Sequence, residues 1–301
     1  MTTNHFTGDA PHLRELVPTK QGDNVSAVAC YSSPEALARH AGDTVQGTCW
    51  HKSPWTHSES FSGSPDMSSA IKMAVEGWPD GAARAAKIRD RINASHPTMR
   101  RMTRYSVAGA LPNIGRYLSG NPACMRVMTS DKSRQRPIMT LIASVTANVM
   151  IEANQLLWRA AVVAAIVDAV EGAGFACEVI AVSNSEANGV NQAVLVNAKN
   201  SHQPADISRL AYSLGHPSFF RRLCWVPIVE NEITSPIGTS LGAATTLDMT
   251  RMPSNCYLIP GFEDNAAGAA FGTEEKAETT GLEFLLESLR AQGCPAFTSQ
   301  N

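Results

Sequence analysis

The clearest pattern of apolar positions lies between Pro137 and Ser183. A continuous apolar run from Ile138 to Ala143 has the aliphatic content of a strand buried on both faces. From Glu152 to Glu171, apolar residues recur at helical spacing around most of the circumference, which predicts a largely buried helix. The run from Phe175 to Val182 predicts a second strand. A strand, helix and strand in this order predict a parallel pair joined by a right-handed crossover.

Strands and helices alternate through the rest of the C-terminal half. We predict strands at Val194–Ala198, Leu223–Val229 and Cys256–Ile259, and helices at Asp206–Leu214 and Leu282–Arg290. Residues 234 to 254 read as a loop, and the acidic Gly-Ala segment from Glu263 to Thr280 as a mobile one. The alternation predicts an α/β fold with a mostly parallel sheet and helices on both faces, as in Rossmann-like proteins.

The N-terminal half is less regular and divides into two regions. Residues 1–60 are irregular apart from a helix signal at Ser33–Arg39. Residues 61–136 predict a small helical region, with helices at Met67–Glu76, capped by Asp66, and at about Ala82–Ile92. The α/β domain would then cover residues 137–301.

Length and composition predict a globular protein. The chain has 301 residues, of which 44% are hydrophobic, enough for one sizeable core. We find no apolar run of about 18 residues without charge and no signal-peptide pattern, so we expect a soluble, cytoplasmic protein. The seven cysteines are widely spaced and form no C-x-x-C pair, which predicts free thiols.

The net charge of -2 conceals a strong asymmetry along the chain. Between Arg84 and Arg136 there are twelve basic residues against two acidic ones, a net charge of +10. From Leu223 to the end there are three basic residues against ten acidic ones, a net charge of -7. Charge separated in this way indicates a binding or assembly role, although a solvated surface is the simpler explanation.

The basic segment 84–136 suggests nucleic-acid binding as one function. Its arginines and lysines would contact phosphates, and an aromatic ring beside them would stack on bases. The candidate residues are Arg84, Lys87, Arg91, Arg100, Arg101, Arg104 and Tyr105.

Signatures of enzymes are missing from the sequence. We find no G-x-S-x-G, Walker loop, G-x-G-x-x-G after a strand, or H-E-x-x-H. Glu230 and Glu232 could act as acid and base, but lone carboxylates at strand ends are common. Cys49, His51 and His57 have spacing that suits zinc, but no fourth ligand is evident nearby. His216 before Pro217 is more typical of a residue at the start of a helix than of a base. We therefore predict no catalytic residues.

The turn after the first central strand is where an open parallel sheet would bind a ligand. It reads Ser144-Val-Thr146-Ala-Asn148. Here the chain resembles the von Willebrand A-type (vWA) family, in which the first strand ends in D-x-S-x-S and leads into a long helix. Ser144 stands where the family has its aspartate, and Thr146 and Asn148 where it has its two serines. The resemblance in the order of elements extends over about residues 137 to 295.

The resemblance implies a divalent-cation site, and the substitution at Ser144 removes its carboxylate. Ser144, Thr146 and Asn148 offer neutral oxygens only, so we expect a degenerate site with weak magnesium affinity or none, and no other cofactor. The alternative is that these residues cap the long helix and satisfy its free N–H groups.

Two stretches also resemble proteins of tailed bacteriophages: Phe61-x-Gly63 to Trp78-Pro79, and His216-Pro217 to Arg221-Arg222. This resemblance implies a viral protein in the host cytoplasm. Domains of the vWA family often bind other proteins, including AAA+ ATPases. We therefore expect a non-enzymatic interaction or assembly protein that docks a protein partner, with nucleic-acid binding through the basic segment as the alternative.

Overall fold

The computed structural model describes most of the chain. The described residues are 5–16, 27–44, 58–96, 105–107, 111–126, 136–148, 150–187, 190–230, 243–244, 247, 252–263 and 265–298. The predicted zinc-like pattern at Cys49, His51 and His57 lies outside these residues, as do Glu232 and most of the loop predicted at 234–254.

Within the described residues, ten strands form two sheets. They are β1 (His5–Thr7), β2 (Ala27–Tyr31), β3 (Tyr105–Ser106), β4 (Leu111–Pro112), β5 (Met125–Arg126), β6 (Ile138–Ser144), β7 (Ala176–Ala187), β8 (Val190–Lys199), β9 (Ala243–Ala244) and β10 (Cys256–Ile259). The main sheet has the order β1-β2-β8-β7-β6-β10, with β9 paired to the end of β7. The small second sheet has the order β3-β5-β4.

Along the chain, helices lie between the strands and after the last of them. They are α1 (Pro34–Thr44), α2 (Glu59–Ser62), α3 (Met67–Glu76), α4 (Pro79–Ser95), α5 (Ile114–Leu118), α6 (Ala153–Gly172), α7 (Ile207–Gly215), α8 (Trp225–Glu230), α9 (Asn265–Ala270), α10 (Glu274–Lys276) and α11 (Leu282–Ala291). A 3₁₀ helix covers Pro11–Leu16, and π-helical turns cover Phe219–Leu223 and Ala277–Gly281. The α/β character and the mostly parallel main sheet are thus confirmed.

The predicted unit of strand, helix and strand is present as β6, α6 and β7, and the two strands are parallel. The next strand, β8, runs antiparallel to β7, with Val182 opposite Leu195. On its far side β8 pairs in parallel with β2, and β2 with β1. The sheet therefore consists of two parallel halves that run in opposite directions, so carboxyl ends of strands lie at both of its edges.

Helix α6 is the centre of the larger core. Its sequence is apolar around the circumference, and Leu157, Val163, Ile166 and Val170 are among its fully buried residues. By length and composition alone α6 would suffice for a membrane span, but 72% of its most apolar window is buried inside the protein. Gly215 lets α7 approach it closely, because a Cβ there would lie 2.9 Å from the Cβ of Ala160.

The two faces of the main sheet are covered differently. One face carries the larger core, to which side chains from α1, α3, α4, α6, α7, α8, α9 and α11 contribute. The other face carries a smaller core in which Leu13 and Leu16 of the 3₁₀ helix pack on Ile142 and Ile180 of the central strands. Among the described residues, the helical layer predicted for this second face is reduced to that 3₁₀ helix.

Two predicted elements are wrong. The run predicted as a strand at Leu223–Val229 is helical, because the N–H of Cys224 donates to the Phe219 carbonyl and the chain continues into α8. Pro227 is the third residue of α8, where a missing N–H removes no intrahelical bond. The segment predicted to be mobile at Glu263–Thr280 forms α9, α10 and a π-helical turn, and Phe271 and Ala277 within it are fully buried.

The predicted division at residues 60 and 136 does not separate spatial units. Strands β1 and β2, from the region predicted to be irregular, extend the main sheet. Helices α3 and α4, from the region predicted to be separate, contribute Ala74, Ala85 and Ile88 to the larger core. The main sheet and the helices packed on it therefore contain residues from all three predicted regions.

Candidate functional site

The site predicted after the first central strand lies just beyond the end of β6. Here the chain stops pairing with β7 and pairs with the segment that follows β10. Thr146 makes this transition: its Oγ1 accepts from the Asn184 N–H at 2.9 Å and donates to the Asn184 carbonyl at 3.2 Å. The Thr146 carbonyl accepts from the N–H of Phe262, which follows β10. The Thr146 side chain thus takes the place of the last backbone hydrogen bonds to β7. The Thr146 backbone instead bonds to the segment that follows β10.

A carboxylate reaches this edge from β10. The Ser144 hydroxyl donates a hydrogen bond to Oε1 of Glu263, and Ser144 is 4% exposed. Gly261 makes room for this contact, because a Cβ there would lie 2.8 Å from both Ser144 Oγ and Glu263 Oε1. Sequence reasoning missed Glu263 because it lies 119 positions from Ser144 and no spacing rule connects the two.

A buried cation lies beneath the same edge. Arg159 of α6 is 1% exposed, and its guanidinium donates from Nε to the Pro260 carbonyl at 2.8 Å and from Nη2 to the Ile259 carbonyl at 3.3 Å. Burial lowers the pKa of Arg159 to about 10, and the negative charge of Glu263 opposes that shift. Arg159 therefore stays charged at neutral pH and offsets the charge of Glu263. We call Ser144, Thr146, Glu263 and Arg159 the carboxyl-edge cluster.

Asn148, the third predicted site residue, lies apart from the cluster on an exposed turn. Its Oδ1 accepts from the Met150 N–H at 3.1 Å, which fixes the turn locally. Met150 is 81% exposed, so this turn presents an apolar side chain to solvent. The structure thus brings Ser144 and Thr146 together and leaves Asn148 outside.

The alternative prediction, that these residues cap the long helix, is wrong. Helix α6 begins at Ala153 and is capped by Glu152 and Gln155 in a reciprocal capping box. Gln155 also donates from Nε2 to the Gly268 carbonyl at 3.0 Å. The residues at 144 to 148 instead organise the strand ends.

The carboxyl-edge cluster does not fit the divalent cation that the vWA resemblance implies. Thr146 Oγ1 already makes two hydrogen bonds, Ser144 Oγ is bound to Glu263, and the charge of that single carboxylate is offset by Arg159. Divalent cations prefer several oxygen ligands that include carboxylates free to compensate their charge. Throughout the described ranges, no group of three or more His, Cys, Asp or Glu residues is arranged to hold a metal ion.

We predict that calorimetric titration with Mg²⁺ or Mn²⁺ detects no binding tighter than roughly 1 mM, the weak limit of protein cation sites. Ser144→Asp alone should gain little, since Arg159 keeps the cation position positively charged. Ser144→Asp with Arg159→Met should bind Mg²⁺ measurably, while the control pair Ser144→Asn with Arg159→Met should not. Micromolar binding by the native protein that is lost in Thr146→Ala would contradict this prediction.

The stretches Phe61–Pro79 and His216–Arg222 pack against each other beside this edge. Arg221 donates from Nη1 to the Phe61 carbonyl at 2.7 Å, and its guanidinium lies 4.4 Å from the Phe61 ring centroid. Its Nη2 contacts the carbonyls of Asn148 and Ile151 at 3.3 and 3.4 Å. Arg221 therefore ties the exposed turn at Asn148 to α2 and to the first π-helical turn.

His216 belongs to a buried network in the same region. Its Nδ1 accepts from the Ser218 N–H at 3.2 Å and lies 2.8 Å from Ser218 Oγ. The centroids of the His216 and Trp78 rings lie 4.5 Å apart in an edge-to-face arrangement. The Tyr212 hydroxyl donates to the Ala70 carbonyl at 2.7 Å. Burial lowers the pKa of His216 to about 4, so the ring is neutral. Ser218 is fully buried, so this arrangement joins α7 to the next helical turn and offers no accessible nucleophile.

The predicted nucleic-acid residues are only partly described. Arg91 forms ion pairs with Glu274 and Glu278, and Arg84 donates to Asn154 Oδ1 at 2.8 Å. Lys87 is exposed on the same helix. Arg100, Arg101 and Arg104 lie outside the described residues, and of Tyr105 only the backbone is described, in β3. Within the described ranges, Arg91 is thus committed to the acidic C-terminal part of the chain.

Glu230, one of the two predicted acid–base residues, lies at the end of α8. Its Oε2 is 2.6 Å from His40 Nε2, and its Oε1 accepts from the Thr44 hydroxyl at 3.1 Å. These contacts tie α8 to α1. The pairing with His40 was not visible in the sequence, since 190 positions separate the two residues.

A cavity of about 860 Å³ opens at the opposite edge of the sheet, beside the first residues of β6 and β7. Glu171 lines it, but its carboxylate binds Lys199 Nζ at 2.8 Å. Lys199 also donates to the carbonyls of Cys177 and Asn200 at 2.6 and 3.2 Å, so all three of its donors are used. The buried lysine beside this cavity is thus bound within the protein, and we place the candidate site at the carboxyl-edge cluster, where the sequence predicts it.

Comparison with known proteins identifies a family without an assigned activity. No curated protein and no solved structure matches the chain. A family model does match, over residues 28–292, which include the carboxyl-edge cluster, helices α1 to α11 and the main sheet apart from β1 and the first residue of β2. The chain therefore belongs to the family described as a domain of unknown function, DUF7192.

Proposed function

We propose that this protein is a non-enzymatic interaction and assembly protein that docks a protein partner at the carboxyl edge of its vWA-like sheet. The observation that supports the proposal is that the charges at that edge are neutralised within the protein. Arg159 offsets Glu263, and the hydroxyls of Ser144 and Thr146 are engaged within the protein. Docking here would be independent of a metal ion.

The surface around the cluster is suited to a protein partner. Met150 projects into solvent beside the polar side chain of Asn148, which combines an apolar contact with a hydrogen-bonding group. Arg221 holds this turn in place through the carbonyls of Asn148 and Ile151. A fixed turn loses little conformational entropy when it binds.

The class of partner follows from the resemblance to vWA domains, among whose partners are AAA+ ATPases. We propose an AAA+ ATPase as the partner. The likeness of the Phe61–Pro79 and His216–Arg222 stretches to phage proteins supports a phage-encoded protein that acts in the host cytoplasm. The packing of these two stretches on the turn that carries Met150 supports a shared role for them.

A photoreactive residue at position 150 tests the docking site. We expect the full chain, expressed in its native cell, to form a covalent product with one protein from position 150 and not from position 75, whose Val75 side chain is also exposed. The product should form equally well when a cell lysate is treated with nuclease or chelator before irradiation. Binding of the purified partner should then be weakened by Met150→Glu and unaffected by Val75→Glu.

Failure of the covalent product to form when the chelator is added before irradiation would contradict metal-independent docking. Equal yields from positions 75 and 150 would show that the carboxyl edge is not the docking surface. Either result would refute the proposed function as stated.

The nucleic-acid alternative is less well supported, because Arg91 binds Glu274 and Glu278 in the same chain. The hydrogen bonds to these carboxylates raise the pKa of Arg91 and reduce its availability to phosphates. Arg84 is likewise bound to Asn154. The basic segment therefore favours contacts with acidic protein surface.

We predict that gel-shift titration with single-stranded and duplex DNA shows no complex even at low salt. Phosphate contacts release counterions, so a true complex would weaken steeply as salt rises. Arg100→Glu with Arg101→Glu should instead alter elution in size-exclusion chromatography. A salt-sensitive complex that this double variant abolishes would establish the nucleic-acid alternative.

A further inference from the structure

The cavity of about 860 Å³ beside the first residues of β6 and β7 has the size of a ligand pocket. Pockets for small organic molecules have volumes of roughly 300–1,000 Å³. The cavity lies where the direction of the main sheet changes, because β8 ends here while β6 and β7 begin. In open α/β sheets, ligands bind outside the carboxyl ends of strands, at points where the topology reverses. The residues that follow β8, 201–204, form part of the lining.

Arg136 supplies a positive charge at the cavity. It is exposed, and it forms neither an ion pair nor a hydrogen bond with another described residue. Pro137 restricts the preceding residue to an extended backbone, and the Pro137 carbonyl accepts from the Ala176 N–H at 3.0 Å. The backbone at Arg136 is therefore anchored to β7. A guanidinium in this position can bind a carboxylate or a phosphate through two parallel hydrogen bonds.

The acidic charge of the lining is neutralised within the protein. Among the described residues that line the cavity, Glu171 alone is acidic. Its Oε1 lies 2.8 Å from Nζ of Lys199, whose side chain is 2% exposed. Because the buried ammonium offsets the charge of Glu171, the excess charge of the lining is that of Arg136. The cavity therefore favours an anion over a cation.

The loop after β8 adds uncharged hydrogen-bonding groups. Ser201 Oγ lies 3.3 Å from His202 Nδ1. A hydroxyl that donates to Nδ1 leaves the ring proton on Nε2, where it can be donated to a ligand. Gln203 is exposed on a turn that is closed by a hydrogen bond from its N–H to the Asn200 carbonyl at 3.3 Å. These side chains can bind the oxygens of an anionic group that Arg136 leaves free.

The rest of the lining is mostly apolar. Ile138 is 43% exposed, and Phe175 is half-buried against the larger core. Pro137, Ala176 and Pro204 add further apolar surface. Burial of a flat apolar ring against such side chains is favourable. The cavity thus combines one positive charge and several donors with an apolar surface.

We propose that this cavity binds a small organic anion, an aromatic ring that bears a carboxylate or a phosphate group. The anionic group binds Arg136 and the donors of the loop after β8, and the ring contacts Phe175 and Ile138. The inference is independent of docking at the carboxyl-edge cluster, because the two sites lie at opposite edges of the main sheet.

Isothermal titration calorimetry of the purified full chain with four probes tests the proposal. Phenyl phosphate and phenylacetate carry both a ring and a charge, 2-phenylethanol lacks the charge, and inorganic phosphate lacks the ring. We expect at least one aromatic anion to bind with a dissociation constant of roughly 1 mM or below, and the other two probes to bind at least about tenfold more weakly. The tighter of the two aromatic anions identifies the preferred anionic group.

Three variants locate the binding. Arg136→Gln should weaken binding of the aromatic anions by about tenfold or more and leave 2-phenylethanol unchanged, because it removes the charge. Gln203→Trp, at an exposed position of the loop, should weaken both anions by filling the cavity. Lys72→Gln removes a charge from the exposed surface of α3 and should bind like the native protein. All three variants should unfold at the native temperature, since the substituted residues are exposed.

Three results would overturn the proposal: 2-phenylethanol binding as tightly as phenylacetate, equal affinities in Arg136→Gln and the native protein, or no binding of either aromatic anion. None of these results bears on the covalent product from position 150. Their occurrence would therefore leave the proposed function standing.

Discussion

Replacing Ile166 by alanine should lower the free energy of unfolding by about 2–5 kcal/mol, the usual cost of truncating a fully buried aliphatic side chain. Ile166 lies in α6 with no exposed surface, among side chains of the sheet and of the flanking helices. The substitution removes apolar contacts and leaves a cavity that a rigid core fills only in part. Chemical denaturation followed by circular dichroism measures the change.

Val75→Ala serves as the control for this measurement. Val75 is 55% exposed on α3, and its truncation should alter stability by no more than about 0.5 kcal/mol. A cost below about 1 kcal/mol for Ile166→Ala would mean that α6 is not packed as the structure describes.

The second large effect is a loss of stability in acid that depends on His216. In the folded protein burial lowers the pKa of His216 from 6.5 to about 4. Between these values the unfolded chain binds a proton that the folded chain does not, so stability falls as pH decreases from about 6.5 to about 4. The full loss is about 3 kcal/mol, of which about 2 kcal/mol has occurred at pH 5.

His216→Asn isolates this contribution. An asparagine oxygen can accept the Ser218 N–H in place of Nδ1, but it does not titrate. Other groups, such as Asp168, whose pKa is raised by burial, contribute equally to both proteins. Denaturation at pH 7 and pH 5 should therefore show a loss about 2 kcal/mol larger in the native protein than in the variant. Equal losses would show that His216 keeps an ordinary pKa in the fold.

The fold was predictable where the sequence of a single segment determines the structure of that segment. The apolar run at Ile138, the helix after Glu152 and the strand at Cys256–Ile259 all form as predicted, because their burial is determined by local periodicity. The direction of β8 was missed, although Asn188-Gly189 between two apolar runs is a strong sequence signal for a hairpin. The helix α8 was missed because aliphatic residues around Pro227 suit an edge strand equally well.

The candidate site was only half predictable. The position of Ser144 and Thr146 follows from the end of a buried strand, and the sequence places them there. Glu263 and Arg159 belong to other elements, and only the parallel pairing of β10 with β6 brings Glu263 beside Ser144. Helical periodicity assigns Arg159 to a mostly apolar helix but does not reveal which carbonyls it binds.

The pairing of β2 with β8 has a consequence for the order in which the protein forms during its synthesis. Tyr31 pairs with Val196, so 165 positions separate the two strands in the chain. A ribosome that has made the first 189 residues has released β2 but not β8, and the apolar strand Ala27–Tyr31 has no parallel neighbour on that side. Closing so long a loop slows folding, and an unpaired apolar strand promotes aggregation. Strands β1 and β2 therefore join the main sheet only after β8 has been made, and chains that terminate before β8 should accumulate as insoluble fragments.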